Sequence, residues 1–183
     1  MVFLKHVIGI LKMSNLIIDN SKHFEDRGSI YTIYRADMCD VNFVQDKITK
    51  SYEGVIRGFH GDNKTYKLIS CLHGKIRLIT YDVDNDIKEE YILDGDDTKS
   101  VSVLVPPRVL NAHQCLTTSC IFHYKWSEYY TSPEDQWSVN YNDECINPEW
   151  NTDIIRYDFP GAISDRDKNA PSLKVFKKCL NKT

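Results

Sequence analysis

Lys75-Ile-Arg-Leu-Ile-Thr-Tyr-Asp-Val83, then Asp84-Asn-Asp86, then Lys88-Glu-Glu-Tyr-Ile-Leu93 reads as two β-strands joined by a short polar turn. The flanking runs are rich in β-branched and aromatic residues, and the acidic centre punctuates them. Further short runs lie on both sides. Upstream are Ile30–Arg35, Val41–Gln45 and Tyr66–Cys71; downstream, beyond the turn Asp94-Gly-Asp-Asp97, are Ser100–Val105, Ala112–Cys115 and Ser119–Tyr124. Short strands at this spacing predict an all-β sandwich or barrel. Long helical periodicity is absent, and only a weak trace of it shows near Pro171–Leu180, where Leu173, Phe176 and Leu180 could share one face. The stretch after Tyr130 reads as loop, and loops of that length in compact domains are usually functional or disordered. Trp137 and Trp150 within it favour a packed conformation.

The chain has 183 residues, 42% hydrophobic and 27% charged, enough for the core of one domain. No repeat or linker divides it. Net charge is −3 with both signs interspersed, so it lacks the basic footprint of a nucleic-acid binder. Its six cysteines contain no CxxC pair and read as reduced thiols. The opening Val2–Lys12 is apolar but interrupted by Lys5 and Lys12, which leaves it far shorter than the ~20 residues of a membrane helix. No small-residue cleavage site follows it. Residues 1–12 are expected to be an extension before a single domain spanning 13–183, and the protein is expected to be cytoplasmic.

Three segments carry the chemistry-bearing side chains. In Gly54-Val-Ile-Arg-Gly-Phe-His-Gly-Asp62, strand alternation gives Arg57 and His60 opposite parity, so a turn or bulge at Gly58 is required to aim both into one cavity. Val103-Leu-Val-Pro-Pro-Arg-Val-Leu-Asn-Ala-His113 is a strand, a Pro-Pro turn and another strand. Phe122-His-Tyr-Lys-Trp-Ser-Glu-Tyr-Tyr130 is an aromatic run whose default role is packing. A metal set of His60, Asp62 and His113 is conceivable, but the second histidine of a His-x-His pair is missing from the first segment, so a metal-free site is preferred.

Taken in order, Phe24-Glu-Asp-Arg27-Gly28, Phe43-Val-Gln45-Asp46, Gly54-Val-Ile-Arg57-Gly-Phe-His60, Lys67-Leu-Ile, Gly74, Val105-Pro-Pro with His113, Tyr124-Lys125, Tyr130-Thr-Ser-Pro133, Asn142-Asp143, Trp150 and Ile163-Ser-Asp-Arg-Asp167 form a series. That series resembles dTDP-4-dehydrorhamnose 3,5-epimerases. The likeness runs over roughly residues 24–172, and each motif is weak by itself.

The resemblance implies a jelly-roll cupin, usually a homodimer, that needs no metal or dissociable organic cofactor. It implies epimerisation of C3, C5 or both in a nucleoside-diphosphate 4-keto-6-deoxy sugar, through an enolate, by a base and an acid on opposite ring faces. By the same resemblance His60 is the base, Asp167 orients it, Lys67 faces the keto oxygen, Tyr124 is the acid and Tyr130 a second tyrosine near the sugar. Arg57 would meet the diphosphate, and Arg27 would reach the nucleotide across the dimer. Gln45, Asp46, Lys47, His113, Asp135 and Arg166 would line the nucleotide or sugar site. Some positions depart from the dTDP-sugar pattern: His60-Gly61-Asp62 replaces His-aromatic-Gln, Lys47 replaces an asparagine, and Thr32 replaces a glutamate. His-Gly-Asp followed by Thr-x-Lys looks more like a subgroup that includes epimerases of GDP-linked 4-keto heptoses. The competing readings are a keto-isomerase of the same substrates, a non-catalytic sugar-nucleotide-binding cupin, and a metal-dependent cupin oxygenase.

Overall fold

The computed structural model describes residues 15–180; the expected extension over 1–12 lies outside them. The elements are β1 (Leu16–Asp19), β2 (His23–Glu25), β3 (Gly28–Ile30), β4 (Gln45–Tyr52), β5 (Ile56–Gly61), β6 (Lys67–His73), β7 (Lys75–Asp82), β8 (Ile87–Asp94), β9 (Val101–Val105), β10 (Val109–Cys115), β11 (Ser119–Trp126), β12 (Trp137–Ser138), α1 (Asp165–Asn169) and α2 (Leu173–Leu180). Two five-stranded antiparallel sheets form, ordered β1-β9-β6-β11-β4 and β12-β5-β10-β7-β8, with β2–β3 as a separate hairpin. This is the expected jelly-roll sandwich. Among the described residues no helix is long and apolar enough to cross a membrane.

The β7–β8 pair quoted first is continuous from Lys75↔Asp94 to Asp82↔Ile87. Alternation sends Ile76 and Leu78 between the sheets, where they join Ile69, Cys71, Leu93, Val103, Val105, Cys115, Cys120 and Phe122. Ile79 and Tyr81 point the other way, into a second cluster built with Phe59, Leu110, Val139, Ile146, Trp150, Leu173 and Phe176. β7 is therefore buried on both faces, which is why its sequence is so plainly a strand. Each large side chain so buried contributes about 1.5–3 kcal/mol. The segment after Tyr130 is largely irregular, and it supplies the cover for that second cluster. Trp150 is buried there and donates Nε1–H to the Tyr141 carbonyl at 2.9 Å.

Two expected strands are absent. β3 ends at Ile30, and residues 31–44 form no strand. Instead Tyr34, Met38, Cys39, Val41 and Phe43 pack down on Ile18, Leu68 and Leu104 and cap the outer face of the first sheet. Their apolar character serves packing rather than pairing. β4 and β5 show the reverse: they are strands that the apolar pattern did not announce, because the inner faces of both line a polar cavity.

Within β5 the register against β10 shifts, with Asn111↔His60 but His113↔Arg57. Gly58 sits at this irregularity with φ +121°, and a Cβ there would lie 2.5 Å from the Cβ of Ala112. The shift satisfies the parity requirement read from the sequence, because both Arg57 and His60 reach one cavity.

Gly54, between β4 and β5, has φ +75° and its Cβ position is 2.0 Å from the Ile154 carbonyl oxygen. Gly54→Ala is expected to lower stability by more than ~1 kcal/mol, read as an earlier denaturation midpoint with unchanged slope. A midpoint equal to the parent's would contradict the close approach of the 152–154 turn.

Candidate active site

Between the sheets the space is apolar at one end and open at the other. The open end is a cavity of about 380 Å³. Its walls are laid out by the period-2 rule on four strands, with Lys47 and Thr49 from β4, Lys67 and Ile69 from β6, Asn111 and His113 from β10, and Phe122, Tyr124 and Trp126 from β11, while on β5 the register shift at Gly58 brings in both Arg57 and His60. The irregular segments add Tyr130, Pro133, Gln136, Gly161, Ser164, Arg166 and Asp167.

His60 Nε2 meets Asp167 Oδ1 at 2.8 Å, with the Asp167 side chain only 4% exposed. Asp167 is held in turn by its place in α1. Ser164 caps that helix, its Oγ accepting from the Asp167 N–H at 3.1 Å, and the Gly58 N–H points at Oδ2 from 3.4 Å. Burial raises the Asp167 carboxyl, yet the hydrogen bond and charge of His60, with help from Ser164 and Gly58, outweigh it and hold the group below the usual carboxylate range.

Lys67 opens β6 and is 3% exposed. Its Nζ donates to Asn111 Oδ1 at 3.3 Å and stands 4.8 Å from the Trp126 ring centre. Burial lowers its pKa to about 8, with Lys47 and Arg166 pushing the same way and Asp62 opposing. His113 is also buried and stacks on Phe122 at 4.2 Å. Burial first, then the nearby Arg57 and His60, bring its pKa to about 3. It is thus a neutral ring at physiological pH, and its Nε2 has no protein partner. Burial pushes the Tyr124 hydroxyl above the ordinary phenol range. Arg57 donates Nε–H to Ser51 Oγ at 3.0 Å, which leaves the terminal fork of the guanidinium unspoken for by that bond.

His60, Lys67, Tyr124, Tyr130, Asp167, Lys47, Arg57, His113 and Arg166 therefore share this cavity, although Arg166 also donates to the Pro133 and Gln136 carbonyls. Gln45, Asp46, Asp135 and Arg27 do not line it. Alternation turns Asp46 to the opposite face, where it binds His123 at 2.8 Å and Lys125 at 2.8 Å. Gln45 accepts from the Tyr130 N–H at 2.7 Å and so positions a wall residue. Asp135 bonds Thr131 in the adjacent loop. Arg27, at the tip of the exposed β2–β3 hairpin, pairs with Glu25 at 2.7 Å. Asp62 accepts from the Lys64 and Thr65 N–H groups. Among the described residues, no set of three or more His, Cys, Asp and Glu side chains gathers as metal ligands.

Sequence reading passed over Ser51, Thr49, Asn111 and Trp126. The only signal was spacing from residues already singled out, which becomes parity once the strands are paired: Asn111 is two residues before His113, Trp126 two after Tyr124, and Thr49 and Ser51 follow Lys47 by two and four.

Residues 11–175 match the family model described as dTDP-4-dehydrorhamnose 3,5-epimerase. The dTDP-4-dehydrorhamnose 3,5-epimerase of Salmonella typhimurium is 29% identical, covering 86% of this chain and 90% of that protein. A spore coat polysaccharide biosynthesis protein of Bacillus subtilis is 30% identical, covering 73% and 92%. The crystal structure of a dTDP-4-dehydrorhamnose 3,5-epimerase from Elizabethkingia anophelis superposes with a TM-score of 0.71 at 29% identity, over 93% of this chain and 97% of that one.

The depressed Lys67 pKa has a stability consequence. At pH 7 folded and unfolded chains both carry the proton, and the folded state bears the burial. From 10.5 to about 8 this is on the order of 3 kcal/mol, at about 1.4 kcal/mol per pKa step. Between pH about 8 and 10.5 the folded state releases the proton first, so stability rises through that window. Lys67→Met should therefore be more stable than the parent at pH 7, with the gain fading over the same window in denaturant titrations at stepped pH.

Proposed function

Since the chain belongs to the dTDP-4-dehydrorhamnose 3,5-epimerase family and is an isomerase-class enzyme, we propose that it inverts C3, C5 or both of a nucleoside-diphosphate 4-keto-6-deoxy sugar. The observation that carries this reading is the His60–Asp167 pair sharing a cavity with Tyr124, among Lys47, Arg57, Lys67 and Arg166. A base held by a carboxylate, a protonated phenol and fixed cations are the groups that enolate chemistry beside a ketone requires.

In the proposed reaction the sugar's C4 ketone acidifies the neighbouring hydrogens. With Nε2 engaged by Asp167, Nδ1 of His60 takes the proton, and the C–H electron pair moves into the carbonyl to give the enolate. Asp167 keeps its charge and stabilises the imidazolium. Lys67 is a buried cation at neutral pH, and the charge developing on the enolate oxygen gives it a partner. Tyr124, whose buried hydroxyl retains its proton, delivers that proton to the opposite face, and Tyr130 stands near the sugar. The Arg57 fork suits a diphosphate, and the neutral, unpartnered His113 Nε2 suits a hydrogen bond to the ligand.

His60→Ala should abolish exchange of the C3 and C5 hydrogens with deuterated water; persistence of exchange would remove His60 as base. Tyr124→Phe should spare exchange more than inversion, whereas equal loss of both would count against the division of roles. Turnover across dTDP-, UDP- and GDP-linked 4-keto sugars identifies the nucleotide, with the dTDP sugars named by the relatives tested first and the residues after His60 the reason to include GDP.

The same reading makes the protein a homodimer in which Arg27 reaches the second nucleotide site. Every residue of β2 and β3 is exposed, including the apolar Phe24 at 50% and Ile30 at 69%, which supports it. Sedimentation should give twice the chain mass, and Arg27→Ala should raise KM with little change in kcat; a monomer active at every concentration would refute the arrangement.

A further inference from the structure

Lys47 departs from the asparagine that the resemblance leads one to expect, and its setting is unusual for a lysine. It lies opposite Tyr124 in the β4–β11 register. Its Nζ is 3.3 Å from the ring centre of Tyr130, 5.0 Å from that of Trp126 and 5.7 Å from that of Tyr124. Among the ion pairs of the described residues, no carboxylate binds it; Asp46, its neighbour on the strand, is turned to the opposite face by alternation. An ammonium over an aromatic face is attracted by the ring's quadrupole, and each contact fixes a ring as much as it fixes the lysine. Tyr130 is further held by Gln45 through its backbone N–H and by an edge-on contact with Trp126 at 5.4 Å. Gln45 and Lys47, two residues apart on β4, thus clamp the same tyrosine at backbone and ring.

The proposed reaction creates a need on this side of the cavity. When the Tyr124 O–H bond breaks, the proton forms the new C–H bond with the enolate's electron pair, the C4 carbonyl is restored, and the O–H pair stays on oxygen as a phenolate. The imidazolium of His60 and this phenolate then return to their starting states by proton exchange with water. A phenolate in a buried site is costly without nearby cations; Arg57 already acts on this hydroxyl, Lys47 brings a second charge from the opposite strand, and a charge that matters only after proton transfer favours the transition state over the ground state.

We propose that Lys47 is a positioning residue for the acid half of the reaction: its ammonium, set among Tyr124, Trp126 and Tyr130, holds the two tyrosine rings and offsets the phenolate left on Tyr124. This rests on the reading of Tyr124 as the acid. It differs from a substrate-binding role for Lys47, which would act on the bound ground state.

The test compares Lys47→Met and Lys47→Arg with the parent, as full chains, on a 4-keto sugar that the parent turns over in deuterated water. Lys47→Met should lose inversion by ~10–100-fold, within the range of general-acid effects, while deuterium wash-in through His60 and KM each stay within ~3-fold; Lys47→Arg should recover most of the loss. Parallel loss of exchange and inversion, or a raised KM with kcat intact, overturns the proposal. A second measurement needs no substrate. Ultraviolet titration, with Tyr124→Phe subtracted to isolate that group, should show Tyr124 ionising at higher pH in Lys47→Met than in the parent. Thr49, Arg57 and Tyr130, the groups that act on this hydroxyl in the resting protein, are unchanged between the two. An unshifted titration overturns the proposal even if no substrate is found, whereas a parent that turns over none of the sugars sinks the epimerase reading by itself.

Discussion

The hydrogen bond between His60 and Asp167 joins two parts of the chain separated by 107 residues. It also supplies the cavity's fixed negative charge. Lys47, Arg57, Lys67 and Arg166 surround the same space, and their mutual repulsion would be harder to bear without it. The bond depends on a stack of lesser features. α1 must begin at Ser164 for Asp167 to be aimed, the segment after Tyr130 must cross the outer face of the second sheet to bring α1 there, and β5 must shift register at Gly58 for His60 to face inward. Each is a local choice, and together they deliver one 2.8 Å contact.

The jelly roll solves a packing problem in a way that leaves room for chemistry. Between the sheets, one end is filled by aliphatic side chains and thiols, while the other admits charged groups that need partners or solvent. Lys67 illustrates the tension. Its burial lowers its proton affinity and weakens the resting fold, yet the same burial makes it a strong electrostatic partner for charge that develops during a reaction. Stability is given up at the position where the proposed chemistry gains most, a pattern common at functional sites.

The aromatic wall adds a second layer. Phe122, Tyr124 and Trp126 come from one face of β11, and Tyr130 closes over them from the following loop. Rings in such a row are ordinarily core packing. Here the row carries hydroxyls and is visited by two ammonium groups, from Lys47 and Lys67, so the same residues that pack the barrel also shape its field.

By itself the sequence determined the strands buried on both faces, such as β7, the all-β class and the ordered motif series that identified the family, and it carried only a weak trace of the C-terminal helix. Those signals are local or compositional: a run of Ile, Leu and Tyr between acidic turns has few other uses. It could not locate β4 and β5 by apolar pattern, because strands that line a polar cavity lack the alternation by which strands are recognised. It also read the apolar residues of 31–44 as strands when they serve as a cap. Only the tertiary structure decided that Asp46 faces away from the cavity while Lys47 faces in, that Ser51 and Asn111 hold Arg57 and Lys67, and that Gln45 acts through Tyr130. The physical reason is that a side chain's parity is fixed only once its strand has a partner and a register, and both come from residues far away in the chain.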